Sequence, residues 1–167
     1  MTDTWSADPR YTDLVRRRGG ELLRAAAMLT GSRHDAEDAL QEAYIAVSRS
    51  WPTRLFGSES AAFAYLRTAV LRKSIDLIRK RHPSDDLLER TVEDRGLLRF
   101  EEDQAFFARL QHLPQQQRAV LVLRYYLDLD DRRIAELLDI TRATVRSNAM
   151  RGLDKLRAET RAVAEKR

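Results

Sequence analysis

Apolar residues recur every three to four positions along most of this chain, and the strict alternation of a half-buried strand is absent. Between Arg10 and Leu29, the set Leu14, Leu22, Leu23, Ala26 and Leu29 predicts a first helix, stopped at Thr30-Gly31. Ser32 is placed to cap a second helix reaching about Ser50, with Ala36, Ala39, Leu40, Ala43 and Val47 on one face. The stretch Trp51–Ser58, which holds Pro52 and Gly57, breaks the period and predicts a loop. A third helix follows from about Glu59 to Arg81, with Ala62, Leu66, Val70 and Leu77 facing inward and His82-Pro83-Ser84 ending it.

Residues 83–101 are acidic, contain Gly96 and are weakly periodic, so they predict a flexible acidic linker with at most a helical turn at Asp85–Thr91. Beyond it, Phe106, Phe107, Leu110 and Leu113 form the apolar stripe of a helix starting near Glu101. Pro114 suits the first turn of the next helix, which reaches about Tyr126 with Ala119, Val120, Val122 and Leu123 apolar. The pattern predicts an all-α protein: a three-helix domain at 10–82, the linker at 83–101 and a second helical domain at 102–160.

The end of that second domain carries the most specific signal. Asp130 is a suitable N-cap for a two-turn helix Asp131–Leu138, in which Ile134, Leu137 and Leu138 share a face. Asp139-Ile140 makes a turn, and Thr141 is placed to cap another helix. In this last helix Val145, Ala149, Gly152, Leu153 and Leu156 lie on one side, while Arg146, Ser147, Met150 and Arg151 lie on the other. Arginine pairs bidentately with guanine and other basic groups meet phosphate, so this face has the chemistry of a DNA major-groove reader. Alone, the last helix reads equally well as a solvated amphipathic helix. The short capped helix and tight turn before it favour a helix-turn-helix.

Composition changes this picture mainly through charge distribution. Hydrophobic residues are 43% and charged residues 34% of 167, and the formal net charge is +4. Basic residues cluster at Arg67, Arg72, Lys73, Arg79, Lys80 and Arg81, and again at Arg142, Arg146, Arg151, Lys155 and Arg157. Between them Asp85, Asp86, Glu89, Glu93, Asp94, Glu101, Glu102 and Asp103 form an acidic stretch. Two basic blocks across an acidic connector suggest two contacts with one polyanion. The absence of cysteine removes disulfides, thiolate catalysis and cysteine-ligated zinc. Met1–Arg10 has no signal-peptide core and no apolar run approaches the roughly 18 residues of a membrane span, which predicts a cytoplasmic protein without membrane insertion.

Two further faces carry candidate chemistry. The second helix presents His34, Asp38, Gln41, Glu42, Ile45 and Arg49, an acidic surface around one apolar residue that an arginine-bearing protein would grip. An ordinary solvated face is the alternative. The third helix puts Tyr65, Thr68, Arg72 and Arg79 on one side, near Trp51, Phe56 and Phe63; bases of opened DNA stack on such aromatics. Here the alternative is that Phe63 and Trp51 are core. His34-Asp35 hints at a helical phosphohydrolase, but the only other histidines are His82 and His112, and no phosphate-binding loop or nucleophile elbow is present. No enzyme activity, cofactor or metal is expected.

Taken in order, these segments resemble the extracytoplasmic-function (ECF) sigma factors of the sigma-70 family, the two-domain initiation factors of bacterial RNA polymerase. Asp35–Tyr44 is similar to the family's region 2.2, and Phe63–Ala69 with Asp76–Arg81 is similar to regions 2.3 and 2.4. Leu113–Tyr126 is similar to region 4.1, and Ile134–Leu138 with Thr144–Ser147 is similar to region 4.2. The resemblance implies that Asp38, Gln41, Glu42 and Ile45 belong to the surface binding the β′ clamp helices of core polymerase. It implies that the loop Trp51–Ser60 and the helix behind it, through Trp51, Phe63, Tyr65, Arg72 and Arg79, open and hold the −10 element. It implies that Arg142, Thr144, Arg146, Ser147, Met150 and Arg151 read or clamp the −35 element, that region 4 docks on the β flap, and that an anti-sigma factor restrains the protein. Three positions depart from the family pattern: Arg72 stands where asparagine is common, Asp139 where a turn glycine is usual, and Asn148 where a further basic residue is common.

Overall fold

The computed structural model describes residues 8–51, 57–81 and 104–166, and among them every regular element is helical. The predicted linker 83–101 with its turn at Asp85–Thr91, the acidic stretch, the stop at His82-Pro83-Ser84, the helix start near Glu101 and Phe56 lie outside the described residues. The chain divides into two packing units, one ending at Ile78 and one beginning at Arg79.

In the first unit, α1 spans Pro9–Thr30, α2 Arg33–Ser50 and α3 Glu59–Arg81. Asp8 caps α1 by accepting the Arg10 N–H at 2.9 Å, and Pro9 takes the first turn, where its missing donor costs nothing. Gly31 ends α1 at φ 73°, a left-handed conformation open to glycine, and Ser32 caps α2 by accepting the Asp35 N–H at 3.3 Å. The two helices therefore form a hairpin across two residues. Their seam is built from alanines, with Ala25, Ala26 and Ala27 of α1 and Ala36, Ala39 and Ala43 of α2 all buried, which permits close approach of the backbones. Between them the Tyr11 hydroxyl donates to the Tyr44 carbonyl at 2.7 Å. Helix α3 joins them by burying Ala62, Leu66, Val70, Leu71 and Ile75. Arg17 of α1 also reaches Glu59 of α3 at 2.8 Å.

The second unit has four helical elements: α4 (Gln104–Gln111), α5 (Gln115–Leu121, widening into a π-helical segment Val122–Tyr126), α6 (Asp131–Leu138) and α7 (Arg142–Glu165). Residues Gln117–Leu123 are buried without interruption, so α5 has no solvent face through its middle and is the central element of the unit. One charge is caught there: Arg118, held to Gln111 at 3.3 Å, has its guanidinium pulled down to about 10 by burial. The widened segment closes with the Leu127 N–H on the Val122 carbonyl at 3.0 Å, and Asp128, at φ 54°, turns the chain toward α6. Against the sequence expectation, Phe106 is 42% exposed, while Leu110 and Leu113 of the same stripe are buried. Helix α7 has 24 residues. Its distal half is held to α4, where Arg109 donates to the Thr160 hydroxyl at 3.1 Å.

Packing of α7 on α5 depends on Gly152. A β-carbon there would lie 2.9 Å from Leu121 Cδ1 and 3.3 Å from Leu121 Cγ, inside van der Waals contact. Leu121 is itself buried, so it has little room to turn away. Gly152→Ala gains about 1 kcal/mol of helix propensity and loses about 1–3 kcal/mol to overpacking, while a β-branched residue adds bulk without the propensity gain. The expected order of thermal midpoints is therefore wild type at or above Gly152→Ala, with Gly152→Val lowest, read by the helical circular-dichroism signal. A Gly152→Val midpoint equal to wild type would show that the approach of α5 and α7 is not limiting.

Candidate nucleic-acid interface

The start of α7 is set by three local devices. Asp130 caps α6 by accepting the Arg133 N–H at 2.8 Å, and Thr141 caps α7 by accepting the Thr144 N–H at 3.1 Å. Between them Asp139 takes φ 54° and ψ 49°, and the Ile140 N–H reaches back to the Ala135 carbonyl at 3.1 Å. That 6→1 bond with a left-handed residue before it is a Schellman closure, and aspartate tolerates the geometry better than most residues. The predicted helix, turn and cap positions are those observed.

Val145, Ala149 and Gly152 of α7 are buried, which turns the opposite side outward. Arg142, Arg146 and Arg151 are exposed there, and Met150 is 61% exposed. Thr144 and Ser147 are half-buried and already engaged: the Thr144 hydroxyl lies 2.8 Å from that of Thr141, and the Ser147 hydroxyl donates to the Thr144 carbonyl at 3.2 Å. Asn148, which stands where a further basic residue is common in the family, points inward. It is buried, and its amide donates to Gln116 of α5 and to the Thr144 carbonyl, both at 3.0 Å. The position faces the core and ties α7 to α5.

Beside this face lies an open cleft lined by Arg124, Leu129, Asp130, Asp131, Arg132, Arg142 and Arg146. Asp131 sits between two of the arginines, with Oδ1 3.3 Å from Arg124 Nη2 and Oδ2 3.4 Å from Arg146 Nε. Neither Arg124 nor Asp131 stood out in the sequence as part of a site. In the sequence Asp131 is the first residue of a helix, and only the fold brings it to a residue fifteen positions on.

In the first unit the α3 strip is partly as expected and partly not. Tyr65, Arg72 and Arg79 follow at intervals of seven, which drifts only about 20° per step around a helix. Arg72 and Arg79 are exposed and Tyr65 is half-buried. Trp51 and Phe63 are a correction: they are 6% and 7% exposed and sit in the core. The Trp51 ring packs tilted on Tyr11 with centroids 4.9 Å apart, and Phe63 is covered by the Arg18 guanidinium 3.6 Å from its centroid. Neither ring therefore presents a face on which a base could stack. On α2, Gln41, Glu42 and Ile45 are exposed and Asp38 is half-buried, so the four expected residues share one accessible side. His34 lies 3.5 Å from Asp38, and Lys73 of α3 lies 3.4 Å from Glu42. Asp35, the carboxylate of the His34-Asp35 pair, is buried while His34 is exposed, and among the described residues no group of His, Asp and Glu is arranged to hold a metal. No described helix is long and apolar enough to cross a membrane.

Comparison with known proteins agrees with both units. The family models for sigma-70 region 2 and sigma-70 region 4 match residues 14–83 and 103–156. The chain is 30% identical over 153 residues to the RNA polymerase sigma-E factor of Streptomyces avermitilis, covering 89% of this chain and 84% of that one. It is 30% identical over 154 residues to the sigma-E factor of Streptomyces coelicolor, at 89% and 85% coverage. A third relative is the ECF RNA polymerase sigma factor SigE of Mycolicibacterium smegmatis, 30% identical over 166 residues, at 93% of this chain and 63% of that protein. Among solved structures, the fold is similar to CnrH in complex with the cytosolic domain of CnrY, with TM-score 0.57 and 24% identity over 95% of this chain and 92% of that one. It is also similar to the sigma factor RpoE in complex with the anti-sigma factor NepR from Bartonella quintana, with TM-score 0.59 and 20% identity over 89% and 94% of the two chains. The all-α fold, the capped helix-turn-helix and these relatives have one common meaning: the chain belongs to the ECF group of the sigma-70 family, whose members direct RNA polymerase to promoters.

Proposed function

We propose that this sigma factor reads the −35 element with the outer side of α7, through Arg142, Arg146, Ser147, Met150 and Arg151, with Thr144 serving chiefly to cap the helix. The exposed arginines on a helix capped at Thr141 and locked to α5 are the observation that carries this reading. Arg146 and Arg151 have the donor geometry for guanine or phosphate, and Met150 offers an apolar tip to a thymine methyl. The domain holding this helix is taken as 102–160 and its partner as 10–82, joined through 83–101. Tyr65, Arg72 and Arg79 form the basic strip toward the opened −10 strand. Arg72, in place of the common asparagine, favours backbone contact there over base reading. Asp38, Gln41, Glu42 and Ile45 form the side of α2 that binds the β′ clamp helices, and the second domain docks on the β flap. The factor works in the cytoplasm, without catalysis of its own and without a cofactor. An anti-sigma factor is its natural restraint, in keeping with the complexes in which the two structural neighbours were captured.

A two-surface reader of this kind need not bind tightly alone. The chain by itself is expected to bind promoter duplex weakly and to support promoter-specific run-off transcription when core polymerase is added. Tight sequence-specific binding without polymerase, combined with no transcription in its presence, would make it a stand-alone regulator instead.

Arg146→Ala is expected to cost about 1–3 kcal/mol at one −35 position and to relax preference there. Competition binding over a library of −35 variants measures this, and uniform weakening on all sequences would make Arg146 a phosphate contact. On the other domain, Asp38→Ala with Glu42→Ala removes two solvent-accessible carboxylates, so folding stability should stay within about 0.5 kcal/mol of wild type per site. Affinity for core polymerase should fall. Undiminished competition for core by this folded double variant would leave α2 with an ordinary solvated face.

A further inference from the structure

The cleft beside α7 contains a feature that a simple DNA-binding groove would avoid. Four arginines line it (Arg124, Arg132, Arg142 and Arg146), yet Asp130 and Asp131 stand among them. Asp130 is accounted for as the cap of α6. Asp131 is not needed for that cap, and a carboxylate among groups meant for phosphate repels the backbone of any sequence. Its geometry points to a different use. One carboxylate oxygen lies 3.3 Å from Arg124 Nη2 and the other 3.4 Å from Arg146 Nε. The Asp131 side chain is 21% exposed, whereas that of Arg146 is 67% exposed, so a fixed, mostly covered anion holds the inner edge of a side chain whose outer edge is in solvent.

Arginine is long and rotamer-rich, and recognition by it improves when the guanidinium is already oriented. Holding Nε leaves the Nη1 and Nη2 pair free, which is the end-on edge able to meet the O6 and N7 acceptors of guanine together. Arg124 in turn braces the carboxylate from the π-helical segment, so three elements set the direction of one side chain. We propose that Asp131 is the positioning residue for Arg146: it aims the reading edge at the −35 base pair, and its charge lowers attraction to DNA of other sequence. The inference rests on Arg146 being a base reader, as proposed above.

The test uses holoenzyme reconstituted from the full chain and core polymerase, with the library of −35 variants and a non-promoter competitor. Arg146→Ala first identifies the position read. At that position Asp131→Asn should reduce discrimination by at least about threefold and raise affinity for the competitor. In the Arg146→Ala background, Asp131→Asn should have no further effect on discrimination. A brace without a positioning role predicts a lower thermal midpoint and unchanged discrimination, and that result overturns the proposal. If Asp131→Asn fails to fold, Asp131→Ser decides by the same two readings, serine being well accepted at a helix start. Should Arg146→Ala shift no single position, base reading by Arg146 falls and the positioning role with it; should it do so while Asp131→Asn and Asp131→Ser keep full discrimination, only the positioning role is lost.

Discussion

Helix α5 is buried on every side between Gln117 and Leu123, and this burial governs the second unit. A helix in that position needs partners that come close all round, and its partner α7 meets it through Gly152, where no side chain intervenes. The contact decides which way α7 faces. Once Val145, Ala149 and Gly152 are buried, the helical period leaves Arg146, Met150 and Arg151 outward. The Asn148–Gln116 hydrogen bond fixes rotation about the helix axis further, because a buried amide left unpaired costs about 1–3 kcal/mol. Orientation of the outward arginines is therefore a consequence of core packing on the opposite side.

The first unit obeys the same logic with different residues. Its alanine seam brings α1 and α2 together, and the aromatic rings are drawn in to fill the space left around it. Trp51 on Tyr11, and Phe63 beneath Arg18, are placed by that demand. Surface chemistry is left to the residues the seam does not use, namely the acidic side of α2 and the Tyr65–Arg72–Arg79 strip of α3. The two sides of α2 differ sharply because Ala36, Ala39, Leu40, Ala43 and Val47 are buried on one of them.

Charge in this chain is partitioned more than accumulated. Many exposed arginines are answered on their own helix, as in Arg33–Glu37 and Arg132–Glu136. Such pairs add little stability at an exposed surface, but they reduce the net field a distant polyanion feels. What remains for specific recognition is a small number of arginines held in known directions. That suits a subunit whose affinity for promoters is shared with a polymerase, since indiscriminate attraction to DNA would compete with the correct site.

Helix boundaries, caps and the inward faces were legible in the sequence because they are local. Ser32, Asp130 and Thr141 cap whatever helix follows them, and Asp139 in the turn needed only its tolerance of positive φ. The resemblance to ECF sigma factors was legible for a related reason: four local segments in fixed order carry it. Four assignments were not legible. Trp51 and Phe63 have the same chemistry whether a base or a neighbouring helix covers them, and only packing shows that Tyr11 and Arg18 do. Asn148 lies two residues from Arg146 and three from Arg151, and its inward turn depends on Gln116, thirty-two residues away. Asp131 gains its place beside Arg146 only when α6 and α7 fold against each other. Short-range preferences are set by each residue and its near neighbours, so the chain itself determines them; which side chains are covered, and which charges meet, depends on contacts that exist only after the helices pack.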